Sequence, residues 1–271
     1  MAISTLPTDV TATFEDQGFV VVPNVFDAAG VGRIRAALAR AIDQTVADGQ
    51  ALYREGIDPN DRNVRVVTLI GRDPVFAEIV SHPTVLELVG STMAESSLLS
   101  SLSANIALPG SRSMGLHNDM MAVLPQPWLE PYGVNILFYL HDTDEENGAT
   151  RYLPGSHRFP TADLATQDDV GRTLPIEAPA GSIVAVDGRL WHTSGANTSA
   201  DRERAVLISF YTADFIRTQY NWHALLSEET KAGFSPTVRK LLALDHGNLS
   251  LTHSYDAFKN SKYGNTGPHG S

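Results

Sequence analysis

Four residues in this chain have the types and order needed to build one reactive site. His117 and Asp119 stand either side of Asn118, His192 lies far downstream in Asp187-Gly-Arg-Leu-Trp-His-Thr-Ser-Gly, and Arg204 opens the apolar run Arg204-Ala-Val-Leu-Ile-Ser-Phe-Tyr211. In an extended segment alternate side chains share a face, so His117 and Asp119 can bind one metal from the same side. With nine histidines and 31 acidic residues, composition makes about one His-x-acid triplet an ordinary occurrence, and this is the only one in the chain. Adding His192 gives two imidazoles and one carboxylate, with coordination positions left open. That set suits a non-haem Fe(II) oxygenase, and a zinc hydrolase that keeps water in the open position can use it too.

Arg204 bears on that choice. Alternation places its side chain with those of Val206 and Ile208. If that face lines a barrel interior, the guanidinium requires an anion, because an unpaired buried charge is costly. A planar guanidinium matches a carboxylate in a two-pronged contact. Arg202 is the rival, but it lies in the polar loop Thr198 to Glu203. Asn105 and Asn135 are amides inside otherwise apolar runs. Buried, they need hydrogen-bond partners, and either a co-substrate carboxylate or the backbone would serve. His157, in Pro-Gly-Ser-His, reads as structural, and His141 and His223 have no ligand partner at useful spacing.

The elements that must position these groups are legible in outline. A strand is expected at 19–25, then a helix from Asp27 with Val31, Ile34, Leu38 and Ala41 at helical spacing. Residues 49–63 read as a loop, and short helices are expected at 74–81 and 84–93, started by Pro74 and Pro83. From Leu98 to Tyr211 the pattern is one of short strands, at 98–108, 115–121, 134–141, 149–153, 182–187 and 204–211, separated by Gly- and Pro-rich turns. A helix is expected over Pro236 to Leu244. The expectation is a mainly β fold with flanking helices, a double-stranded β-helix (jelly roll) of cupin type. Residues 1–262 would form a single domain with N-terminal helical cap elements, and 263–271 a flexible tail.

Composition narrows the partners. A formal charge of −11 without any basic block argues against nucleic acid or an anionic membrane surface. No apolar stretch approaches the roughly 20 residues of a membrane span, and no leader-like segment is evident, which makes the cytoplasm the default location. With no cysteine, any metal must be held by nitrogen and oxygen. The oligomeric state stays open between monomer and homodimer.

From about Phe14 to Tyr211 the chain resembles the phytanoyl-CoA dioxygenase family of Fe(II)- and 2-oxoglutarate-dependent oxygenases. The resemblance rests on an ordered set: Phe14-Glu-Asp-Gln-Gly-Phe-Val-Val-Val-Pro-Asn-Val, which looks like that family's opening strand, His117-Asn-Asp119, Glu146-Asn-Gly-Ala-Thr, Pro154-Gly-Ser-His157, His192-Thr-Ser-Gly-Ala-Asn and Arg204. It implies that His117, Asp119 and His192 hold iron, that Arg204 grips the far carboxylate of 2-oxoglutarate, and that Ser194 assists. Asn105 and Asn135 would be further co-substrate contacts. The implied reaction uses O2 and 2-oxoglutarate to oxidise a C–H bond of a small molecule, with hydroxylation the leading outcome and succinate and CO2 as co-products. Related halogenases replace the carboxylate ligand by a small residue, so Asp119 disfavours halogenation. Aromatics at Trp128, Tyr132, Tyr220 and Trp222 would suit an apolar or polycyclic natural product. Two other readings stand beside this one: a cupin-type hydrolase or isomerase using zinc or manganese, and a non-catalytic small-molecule binding protein.

Overall fold

The computed structural model describes Leu6, residues 9–93 and residues 96–245; the expected tail, 263–271, lies outside the described residues. Seven helices, α1 (Val10–Gln17), α2 (Ala28–Ala47), α3 (Pro74–Val80), α4 (Pro83–Thr92), α5 (Trp222–Leu225), α6 (Glu228–Ala232) and α7 (Pro236–Leu241), surround nine strands among these residues. The strands are β1 (Phe19–Val22), β2 (Asn63–Val67), β3 (Ser97–Ala107), β4 (Gly133–Tyr139), β5 (Thr150–Tyr152), β6 (Leu174–Pro175), β7 (Ile183–Asp187), β8 (His192–Ser194) and β9 (Arg204–Ala213). No helix among the described residues is long and apolar enough to cross a membrane.

The helix starts follow local chemistry. Asp27 accepts from the Gly30 amide at 2.7 Å and so caps α2. Asp73 and His82 cap α3 and α4, each followed by proline at the first helical position, where a missing N–H loses nothing.

The strands form two antiparallel sheets. The larger runs β1-β7-β4-β9-β3-β2 and the smaller β6-β5-β8, the two-layer arrangement of a jelly roll. Alternation gives the large sheet two distinct faces. Ile136, Phe138, Ala185 and Leu207 pack into the core shared with α1–α4, each large side chain contributing about 1.5–3 kcal/mol by burial. Leu137, Val184, Val186 and Val206 face the other way, towards Tyr152 and Ile176 of the small-sheet side. Strands buried on both faces read as unbroken apolar runs, and for that reason β4, β7 and β9 stand out in the sequence. A β-bulge between Leu99 and Ser101 shifts the register of β3 against β9. Leu99 and Leu102 therefore both enter the helix-side core, while Ser101, Ser103 and Asn105 face the cavity between the sheets.

Three local expectations are corrected. Residues 115–121 form no strand, only an isolated antiparallel bridge between His117 and His192. The expected loop at 49–63 ends in β2, whose charged Arg65 obscured an edge strand. The opening run Phe14 to Val25 is divided: Phe14–Gln17 complete α1, Gly18 ends it at φ +78°, and only then does β1 begin.

Candidate active site

The three proposed metal ligands meet at the open end of the space between the sheets. The donor atoms of His117, Asp119 and His192 lie within 4.8 Å of one another, the only such cluster of His, Cys, Asp or Glu among the described residues. His117 and His192 are brought together by their backbones, His117 N donating to His192 O at 3.0 Å and His192 N to His117 O at 2.8 Å. This pairing does what the expected strand was meant to do. Each ring then places Nδ1 against a carbonyl two residues back, His117 on Gly115 O at 2.8 Å and His192 on Leu190 O at 2.9 Å. A carbonyl can only accept, so the proton sits on Nδ1 and both Nε2 atoms are left free for a metal. Burial, with the adjacent His117 imidazole adding to it, pushes the His192 pKa down against the pull of Asp119. The neutral ring is the one that binds metal.

Asp119 is set by a turn. Its amide donates to Gly188 O at 2.9 Å, and Met120 N to the same oxygen at 3.0 Å. Gly188 lies directly after β7 in a turn clamped by Arg189 on the Asp187 carboxylate at 2.7 Å. A Cβ at Gly188 would fall 2.8 Å from Gly133 O, so only glycine lets the turn approach β4 this closely. The Asp119 carboxylate in turn lies 3.5 Å from His192 Nε2.

Arg204 lies in the same cavity, which encloses about 190 Å³ and is also lined by Asn105, Asn135, Thr150 and Ser194. Arg204 is 2% exposed. Its Nε donates to Gly148 O at 2.9 Å and its Nη1 to Asn105 Oδ1 at 3.1 Å and Asn105 O at 3.3 Å. Its Nη2 is buried without a partner, as is Nδ2 of Asn105. Burial lowers the Arg204 pKa to about 10, so it remains a cation at neutral pH with only neutral acceptors around it. A cationic donor without a partner, in a cavity whose three clustered side chains could hold a metal ion, has the chemistry to take a carboxylate. Arg202 is excluded from that role, because Asp144 at 2.7 Å and Glu146 at 2.5 Å already pair with it outside the cavity.

The other motif residues are mostly scaffolding. Ser194 Oγ accepts from Met114 N at 3.1 Å while facing the cavity. Asn147 exchanges two bonds with Asp144 and donates to Asp142 O at 2.8 Å, shaping the turn that delivers the Gly148 carbonyl to Arg204. Ser156 Oγ accepts from Trp191 N at 2.9 Å and so steadies the residue before His192. His157 is buried, with Nε2 on Glu15 O at 3.1 Å, the structural role expected of it. Asn135 lines the cavity, but its amide donates to Asp119 Oδ2 at 2.5 Å.

The aromatic expectation changes. Trp222 is 2% exposed with Nε1 on Leu99 O at 2.7 Å, and Trp128 is buried with Nε1 on Val123 O at 2.8 Å. Both are core or loop anchors. Tyr220 packs edge-on against Trp222 and Tyr132 edge-on against the exposed Phe215, and both tyrosines are half-buried. Arg65 is one of several cavity-lining residues that the sequence did not single out, with Ser101, Ser103, Met114 and Gln219. Arg65 on β2 is held by Asp58 at 2.6 Å, a carboxylate with no exposed side-chain surface. Its signal was a buried pair made across a loop, which spacing alone does not reveal.

Comparison with known proteins gives the family and the fold. The family model for phytanoyl-CoA dioxygenase (PhyH) matches residues 14–206. The chain is 40% identical over 238 residues to dioxygenase af480 of Aspergillus fumigatus, covering 88% of this chain and 77% of that protein. It is 26% identical over 263 residues to dioxygenase himG of Aspergillus japonicus, covering 86% of this chain and 80% of the relative. Its fold superposes on HygX of Streptomyces hygroscopicus, solved with nickel and 2-oxoglutarate bound, with a TM-score of 0.64 at 20% identity over 79% of this chain and 90% of HygX. SnoK, described as a non-heme alpha-ketoglutarate-dependent carbocyclase from nogalamycin biosynthesis, gives 0.63 at 22% identity over 77% of this chain and 84% of that one. The ligand order, the buried cation and a family match spanning most of the sequence converge: the chain belongs to the phytanoyl-CoA dioxygenase (PhyH) family and is an Fe(II)- and 2-oxoglutarate-dependent dioxygenase.

Proposed function

We propose that the protein hydroxylates a C–H bond of a small, largely apolar natural-product-type substrate. The chemistry that bound iron, 2-oxoglutarate and O2 supply is cleavage of the keto acid to succinate and CO2, coupled to transfer of the second oxygen atom into the C–H bond. The chain's own contribution is placement and exclusion of water. His117 and His192 present Nε2 and Asp119 presents its carboxylate as ligands. Arg204 and Asn105 offer Nη2 and Nδ2 to the far carboxylate of 2-oxoglutarate, with Ser194 on the same wall. Leu137, Val186, Val206 and Ile208 keep that part of the cavity apolar. The observation that carries this reading is the partnerless Nη2 of Arg204 inside the cavity that holds the three ligands. A cupin-type hydrolase has no use for that cation. The names of the similar proteins, dioxygenases among sequence relatives and an enzyme of nogalamycin biosynthesis among structures, support a tailoring step in secondary metabolism.

The test is anaerobic addition of Fe(II) and 2-oxoglutarate to the protein. A visible metal-to-ligand charge-transfer band is expected in wild type, lost in His192→Ala and weakened in Arg204→Ala. Metal-loaded wild type without the band would sink the reading.

A further inference from the structure

We infer that Asn135 is a positioning residue for the metal-binding carboxylate, fixing Asp119 as a ligand through one oxygen. This rests on the oxygenase reading of the site. Asn135 sits on β4 opposite Val186 of β7 and Phe210 of β9, in the middle of the large sheet, and is 4% exposed. The next residue on the same face, Leu137, is apolar, so a polar side chain here needs a specific partner. That partner is Asp119: Nδ2 donates to Oδ2 at 2.5 Å. The same Oδ2 lies 3.5 Å from His192 Nε2, which identifies it as the oxygen turned towards the other ligands. Among the described residues no other side chain donates to this carboxylate; the Asp119 backbone is set separately, through Gly188 O.

A carboxylate on a turn can rotate about its last bond and offer a metal one oxygen or two. A donor fixed on a central strand removes that freedom. Held in this way, Asp119 uses one coordination position and leaves the rest for the keto acid and O2. The sequence suggested a direct contact between Asn135 and 2-oxoglutarate; the geometry directs the amide to the ligand that shares the metal with it.

The two roles separate experimentally in Asn135→Leu, close in shape but without a donor, with the smaller Asn135→Ala measured beside it as a second variant. Anaerobic Co(II) titration followed by visible absorption reads metal affinity and coordination number, and 2-oxoglutarate is then titrated at saturating Co(II). The expected result is Co(II) binding weakened about 10- to 100-fold, with a changed d–d spectrum and a 2-oxoglutarate Kd within about threefold of wild type. Unchanged Co(II) affinity with 2-oxoglutarate binding weakened tenfold or more would overturn the inference in favour of direct co-substrate contact. A lower melting temperature with both affinities and the spectrum intact would overturn it in favour of a purely structural role. Wild type that binds Co(II) but not 2-oxoglutarate would instead strike at the oxygenase reading, and the Co(II) spectra of the variants would still decide the role of Asn135.

Discussion

Replacing Arg204 by Met is expected to weaken 2-oxoglutarate binding strongly while leaving the empty protein nearly as stable as before. Arg204 is 2% exposed and has one nitrogen without a partner, so its charge is only partly compensated by the carbonyls of Gly148 and Asn105. Losing one side of a buried, hydrogen-bonded charge pair costs about 2–5 kcal/mol. At about 1.4 kcal/mol per decade, that weakens 2-oxoglutarate roughly 30-fold to several thousand-fold. In the empty protein two effects oppose each other. Removing a buried cation relieves a penalty of several kcal/mol, while the abandoned acceptors cost about 1–3 kcal/mol each. A melting temperature within a few degrees of wild type follows. At a hundredfold excess over Kd, co-substrate stabilises wild type by about 2.7 kcal/mol, or roughly 5–10 °C in melting temperature. The assay is thermal denaturation with Ni(II), with and without 2-oxoglutarate. Equal protection of wild type and Arg204→Met would refute the argument, as would a collapse of the variant's stability without 2-oxoglutarate.

Gly188→Ala should destabilise the fold by about 1–3 kcal/mol and weaken metal binding, because the new Cβ meets Gly133 O at 2.8 Å and displaces the carbonyl that holds Asp119; denaturant melts and a metal titration check both effects. Burial lowers the pKa of His82, His141 and His157 in the folded protein. The unfolded chain therefore takes up these protons first. Their stabilisation is complete above the unfolded pKa near 6.5 and is lost as pH falls below it towards the folded values. Equilibrium unfolding across pH 7.5 to 5 should show that slope, and His157→Gln should flatten it.

How much the sequence disclosed depended on whether a feature was local. The starts of α2, α3 and α4 were legible because Asp27, Pro74 and Pro83 act within one turn of chain. Strands β4, β7 and β9 were legible because burial on both faces leaves an apolar run. The short β8 was not, since three residues ending in Thr193-Ser194 are extended only by virtue of their partner β5. In the site, the motif order pointed to the three ligands and Arg204. The sequence did not disclose pairings: that Asn135 meets Asp119, that Asp58 holds Arg65, or that Trp222 points at Leu99 O. Asn135 with Asp119 and Trp222 with Leu99 join segments 16 and 123 residues apart, and Asp58 with Arg65 joins a loop to a strand seven residues on; none of these contacts follows from periodicity.

The segment from Met120 to Tyr132 follows Asp119 directly and shares its anchor, because both amides donate to Gly188 O. Its first amide is held on Gly188 O at 3.0 Å and its last carbonyl receives Ala213 N at 2.9 Å. Between these two clamps Met121, Leu124 and Leu129 face outward. Both ends are fixed to the large sheet and to the turn after β7 and Trp128 pins the middle, so the exposed side chains at Met121, Leu124 and Leu129 can be exchanged while Asp119 keeps its backbone anchor. Selection on a new substrate can therefore act on these side chains as an exchangeable set, separately from the chemistry beneath them.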